Sequence, residues 1–141
     1  FKAVYEEIMY EGLKTITQKM DGKDSPWSAL KAGINAFLDL CMDPVYRKIT
    51  LMESQAAMTY SERYQIHRKT LLGKLNELLP QLINKGYFPG HTQDTISVFL
   101  FGMLAEAGRT LDTVENIEQT RKLFGHAIES TLKVMEPNPG K

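Results

Sequence analysis

Apolar residues in this chain recur three and four apart along almost its whole length, and Val, Ile and Thr nowhere alternate with polar residues for long. That spacing is the period of a helix and not of a strand, so the sequence predicts an all-α fold. The constraint is tightest over Thr92–Leu111, where Ile96, Val98, Phe99, Leu100, Phe101, Met103 and Leu104 leave almost no polar side. A helix that is apolar nearly all round has to be covered on more than one side. It must pack on its own core and also against something further. Gly102, Ala105 and Gly108, three residues apart, would let another helix approach closely.

The same period predicts six helical stretches in all. The first covers Phe1–Met20, with Tyr5, Ile8, Met9, Leu13, Ile16 and Met20 on its apolar face, and turn residues 21–24 end it. Ser25-Pro26 opens the second, an N-cap followed by proline at the first helical position. Trp27, Leu30, Ile34, Phe37, Leu38 and Cys41 line one of its faces. Asp43-Pro44 repeats the start signal for a third helix with the stripe Val45, Ile49, Met52 and Ala56. A fourth is predicted from a Ser61 cap to Lys85, kinked at Pro80 and stopped by Gly86. Its stripe is Tyr64, His67, Leu71, Leu75, Leu78 and Leu82. After the loop Tyr87-Phe88-Pro89-Gly90 come Thr92–Leu111 and a last helix over Val114–Met135, with Phe124, Ala127, Ile128, Thr131 and Met135 inward and a frayed tail over Glu136–Lys141.

Several functions find no support. Lys+Arg and Asp+Glu both number 17, and no basic stripe stands out, so these residues lack the positive surface that nucleic acid requires. The single cysteine, Cys41, has no partner for an intramolecular disulfide and suits a reducing, cytoplasmic setting. No apolar run reaches the roughly 18 residues of a membrane span. The chain opens at Phe1, already in a helical pattern, and is expected to be one domain of a longer protein. His67, His91 and His126 lie far apart, and there is no HExxH, CxxC, phosphate loop or nucleophile elbow. No enzyme activity, metal or cofactor is therefore expected.

Five segments, in order, resemble the C-terminal domain of tetracycline-repressor-type (TetR) transcriptional regulators. They are Phe1-Lys-Ala-Val-Tyr-Glu-Glu-Ile8, Asp43-Pro-Val-Tyr-Arg-Lys-Ile-Thr-Leu-Met52, Tyr60–Ile66, Lys85-Gly-Tyr-Phe-Pro89 and Phe101-Gly-Met-Leu-Ala-Glu-Ala107. The resemblance implies that the last two helices form a four-helix bundle with their copies in a homodimer. It implies that the middle helices enclose a pocket for a small-molecule effector. DNA would be bound only through an N-terminal three-helix domain of roughly 45–60 residues, absent here.

On that reading the pocket candidates are Trp27, Phe37, Cys41, Met52, Met58, Tyr64, His67, Leu71, Phe99, Met103 and Glu106, since methionine and aromatic side chains adapt to irregular apolar ligands. Each competes with a plain role in the core. His67 could equally be a hydrogen-bonded buried histidine, Cys41 an inert core thiol, and Glu106 a partner of Arg109. The dimer candidates are Val98, Phe101, Gly102, Ala105, Gly108, Phe124, Ala127, Ile128 and Thr131. A helical protein-interaction module without a ligand is the competing function. It would show an exposed apolar groove in place of a cavity.

Overall fold

In the computed structural model, which describes residues 1–137, every regular element is helical. The sequence assignments over 138–141, including most of the expected tail, lie outside the described residues.

Helix α1 (Lys2–Met20) buries Tyr5, Met9, Gly12, Ile16 and Met20, and its main partner is α2 (Pro26–Leu40). Gly12 sets their neighbours' distance, because a Cβ there would stand 3.3 Å from the Tyr46 ring. The Ser25 hydroxyl accepts from the Ser28 N–H at 3.1 Å and so caps α2. Helix α2 is the hub, packed on by α1 and by three later helices, α6 (Leu71–Asn84), α7 (Gln93–Thr110) and α8 (Ile117–Lys133).

The third predicted helix is present but not regular. Asp43 caps α3 (Pro44–Arg47), a π-helical segment follows over Lys48–Glu53, and α4 (Ser54–Ala57) completes it. The predicted stripe Val45, Ile49, Met52 and Ala56 is wrong. Val45, Met52 and Ala56 are exposed, and Tyr46, Thr50, Ser54 and Met58 point inward. Those four recur every four residues. In an α-helix such a series drifts 40° per step around the axis, and the wider π turns largely cancel that drift. The Thr50 and Ser54 hydroxyls donate to the carbonyls of Tyr46 and Thr50 at 2.6 and 2.8 Å, so the inward polar groups are satisfied.

The fourth predicted helix is two. Thr59, not Ser61, caps α5 (Tyr60–Lys69) in a reciprocal box with Glu62. The chain breaks at Thr70 and resumes as α6 (Leu71–Asn84), which contains Pro80. The break therefore falls ten residues before the proline. Gly73 permits it, since a Cβ at that position would collide with the Arg68 carbonyl oxygen. The consequence is positional: α5 reaches α1, while α6 packs on α2 and α7. Helix α6 ends in a Schellman turn, with Tyr87 N–H on the Leu82 carbonyl and Gly86 N–H, at φ 94°, on Ile83.

Helices α7 (Gln93–Thr110) and α8 (Ile117–Lys133) are capped by Thr92 and Asn116. Val114, Met135 and their neighbours lie outside α8, which starts three residues later and ends two residues earlier than the sequence pattern predicts. Asn116 starts it because its side chain accepts from the Gln119 N–H at 3.1 Å. Arg121 ties α8 to α2 through Asp39 at 3.0 Å and through the Asn35 carbonyl and side chain at 3.1 Å. At the opposite end, Trp27 packs on Tyr87 and Phe88, and its indole N–H donates to Glu136 at 3.0 Å. The Phe88 N–H bonds the Met135 carbonyl at 2.8 Å.

Candidate functional site

A cavity of about 630 Å³ lies inside the bundle, within the size range of small-molecule sites, ~300–1,000 Å³. Helix α1 lends it Met9, Ile16 and Met20, and α2 lends Leu30, Ile34 and Phe37. The register shift of the π segment brings in Tyr46, Thr50 and Ser54. Because the chain turns at Thr70, α5 contributes Tyr60, Arg63, Tyr64 and His67 from one side, and α6 contributes Leu71, Leu75 and Leu78 from another. Helix α7 closes it with Val98, Phe101, Gly102, Ala105 and Arg109, and α8 takes no part. The lining runs from buried Phe37 to Tyr60 and Val98, both more than 70% exposed, so the cavity opens to solvent at that end.

Most of the wall is apolar, with polar groups at a few points. His67 Nε2 lies 2.7 Å from the Tyr5 hydroxyl and its ring sits 4.8 Å from that of Phe101. Burial pushes the His67 pKa down to about 4, helped by the nearby Arg63 charge, so the imidazole is neutral at pH 7. Burial also holds the Tyr5 phenol up at about 12. The phenol can therefore donate to Nε2 when the imidazole proton is on Nδ1. Arg63 Nη1 donates to the carbonyls of Ser54, Gln55 and Met58 at 3.2, 3.4 and 2.9 Å, which closes the C-terminal end of α4. Further along, the Ser97 hydroxyl meets Asn76 Oδ1 at 3.3 Å.

Of the pocket residues expected from the sequence, Phe37, Tyr64, His67 and Leu71 lie on this cavity. The others lie elsewhere. Trp27 is drawn to the far end of α2 by Tyr87, Phe88 and Glu136. Cys41 is buried under Gly108, its thiol pushed up to about 12 by desolvation, and is protonated and inert at neutral pH. Met52 is turned outward by the π register. Met58 is buried in a separate small cluster with Tyr5, Met9 and Ile66. Phe99 is exposed, Met103 packs against the main core, and Glu106 is exposed and bonded to Arg109 at 2.7 Å.

The expected dimer residues divide in the same way. Gly108 and Ile128 are inside the subunit's own core. A Cβ on residue 108 would come within 2.6 Å of Leu51 and 2.8 Å of the Cys41 sulfur, so its small size serves an internal contact. Phe101 and Ala105 face the cavity, and Phe124 is half-buried against the core. Ala127 and Thr131 remain at the surface, as do Val98 and Gly102, which also line the cavity. Gly102 has open space where a Cβ would go. Gly102→Ala should therefore stabilise the chain by about 0.5–1 kcal/mol, by removing backbone freedom from the unfolded state. A melting-temperature comparison reads it, and a loss would mean that another surface closes on that position.

Sequence reasoning missed Arg63, Tyr46, Thr50 and Ser54. The four-residue series through Tyr46, Thr50, Ser54 and Met58 was available as a signal, but polar members hid it. Arg63, between Glu62 and Tyr64, reads as an ordinary solvated helix position. Among the described residues, no group of three His, Cys, Asp or Glu is placed to hold a metal ion, and no helix is long and apolar enough to cross a membrane.

A profile described as "Tetracyclin repressor-like, C-terminal domain" matches residues 27–135. The fold is similar to the crystal structure of a TetR-family transcriptional regulator from Pectobacterium atrosepticum, with a TM-score of 0.80 at 20% identity. The alignment covers 97% of this chain and 70% of that one. No curated protein matches.

Proposed function

This chain belongs to the tetracyclin repressor-like C-terminal domain family, and from that premise we propose that it is the effector-binding and dimerisation domain of a cytoplasmic transcriptional regulator whose DNA-binding part lies outside these residues. The observation that carries the sensing role is the 630 Å³ cavity. A helical module with no ligand has no use for such a space, which forfeits packing energy around its lining.

The mechanism follows from which helices form the wall. A mainly apolar or aromatic effector would touch α1 through Met9, Ile16 and Met20 as well as α6 and α7. It would favour whichever arrangement of α1 gives it the better contacts, by no more than its difference in affinity between the two. If a DNA-binding domain precedes α1, as in the regulators this chain resembles, the position of α1 would set the spacing of two DNA-binding heads, for which the half-site distance is strict. Native mass spectrometry of the protein purified from its host tests this. Retained small-molecule mass, or a raised melting temperature with an apolar aromatic probe such as 2-naphthylmethanol, is expected. A cavity that accepts no such probe and a protein that carries none would overturn the sensing role.

For the dimer we propose the exposed sides of α7 and α8, where Phe99 is 69% exposed on α7, Leu123 60% on α8 and Val134 74% just past its end. Large apolar side chains are costly to leave in water and are the usual substance of an isologous interface. Phe99→Glu should weaken self-association at least about tenfold, as removal of an aromatic anchor does, without unfolding the subunit. Sedimentation velocity on both proteins reads it, and an undisturbed dimer would move the interface elsewhere.

A further inference from the structure

The charges on the cavity wall say more about the effector than its size does. Three cations line the cavity: Arg63, Lys74 and Arg109. Lys74 has Glu77 at 3.7 Å and Arg109 has Glu106 at 2.7 Å. Arg63 has no carboxylate within ion-pair distance among the described residues. Its hydrogen bonds among the described residues go through Nη1 alone, to three main-chain carbonyls, and leave the Nε and Nη2 donors for another acceptor. Those carbonyls hold the head of the side chain in place, beside His67 and close to Tyr5. The one carboxylate on the wall, Asp94, lies in the first turn of α7. A fixed, half-buried guanidinium with unused donors matches a carboxylate better than any neutral group.

We propose that the effector is an amphipathic monocarboxylic acid whose apolar body fills the space between α2, α6 and α7 and whose carboxylate is held by Arg63. This rests on the cavity being a ligand site, as argued above. The ligand's negative charge would lie next to a neutral imidazole, so binding should also draw a proton onto His67 in mildly acid solution.

The test uses matched probes that differ only in charge: 2-naphthoate against 2-naphthylmethanol, and dodecanoate against dodecan-1-ol. Calorimetric titration of the intact protein at pH 7 should show each acid binding about tenfold to a hundredfold more tightly than its alcohol, the range expected of a charge-assisted contact. Arg63→Gln should bring the acids down to the level of the alcohols and leave the alcohols unchanged, which also shows that the cavity survives the substitution. Arg63→Lys should retain part of the preference. Titrations of the wild-type protein with 2-naphthoate near pH 6, where that acid is already ionised, should reveal net proton uptake in a comparison of two buffers, with none for 2-naphthylmethanol, a readout that needs no variant. If acids and alcohols bind equally well to the wild-type protein, the carboxylate assignment is wrong while the cavity remains a ligand site. If acids and alcohols both fail to bind, the cavity reading and this inference fall together. If acids are preferred but Arg63→Gln keeps the full preference, another cation holds the carboxylate and the assignment to Arg63 is overturned.

Discussion

Replacing Arg47 with methionine should lower the unfolding free energy by about 3–5 kcal/mol, the cost of removing one member of a buried charged network. Arg47 is only 6% exposed. Its Nη1 donates to the Cys41 carbonyl at 2.7 Å and the Met42 carbonyl at 3.1 Å, and its Nε donates to Asp112 at 3.2 Å. The first two acceptors belong to the end of α2, where the last carbonyls of a helix have no partner of their own. The third belongs to the turn after α7. One side chain thus closes the hub helix and fastens α7's exit to it. Methionine restores most of the volume and none of the donors. Asp112 is about one-third exposed on its side chain and can return to water, but the Cys41 carbonyl cannot. Arg47→Met combined with Asp112→Asn should therefore recover only a minor part of the loss. Urea titrations at one fixed protein concentration would measure both. A cost under about 1 kcal/mol for the single variant would show that water replaces the guanidinium.

The second large effect is a loss of stability in weak acid. The folded-state pKa of His67, about 4, lies below its ordinary value of 6.5. Between those two values the unfolded chain binds a proton that the folded chain refuses, so stability falls as the pH falls through that window. Above about 6.5 the contribution is complete, and below about 4 it is gone. The full span is worth about 2–3 kcal/mol after allowance for partial exposure of the ring. His67→Gln keeps a polar group within reach of the Tyr5 hydroxyl and does not titrate. The difference in unfolding free energy between the two proteins should accordingly change sharply from pH 6.5 to pH 4, and other titrating groups cancel in that difference. Parallel curves across the window would show that His67 is already hydrated in the folded state.

The fold class was legible because the helical period survives in every long segment, and Ser25-Pro26 and Asp43-Pro44 mark starts that the structure uses. The breaks were less legible. Pro80 is a strong local signal, yet the chain turns at Thr70, where the determinant is a contact between Gly73 and the Arg68 carbonyl that spacing alone does not display. The wall of the cavity was partly hidden for a related reason. A π segment changes which residues share a face, so Thr50 and Ser54 take inward positions that an α-helical wheel would give to Ile49 and Met52. Helix α7, which reads as apolar all round, meets the core with Ile96, Leu100 and Ala107 and the cavity with Phe101 and Ala105. Most of its excess apolar surface is spent inside its own subunit, and only Phe99 with its neighbours is left to face outward.

The contact between Trp27 and Glu136 spans 109 residues of chain. Local helices form in about a microsecond, but a closure of that length comes late because its entropy must be met before it is rewarded. The indole that makes this contact belongs to the only tryptophan in the sequence. Its fluorescence therefore carries a built-in clock: in a refolding trace it reports the docking of the chain's far end onto α2, separately from the far-ultraviolet signal of helix formation.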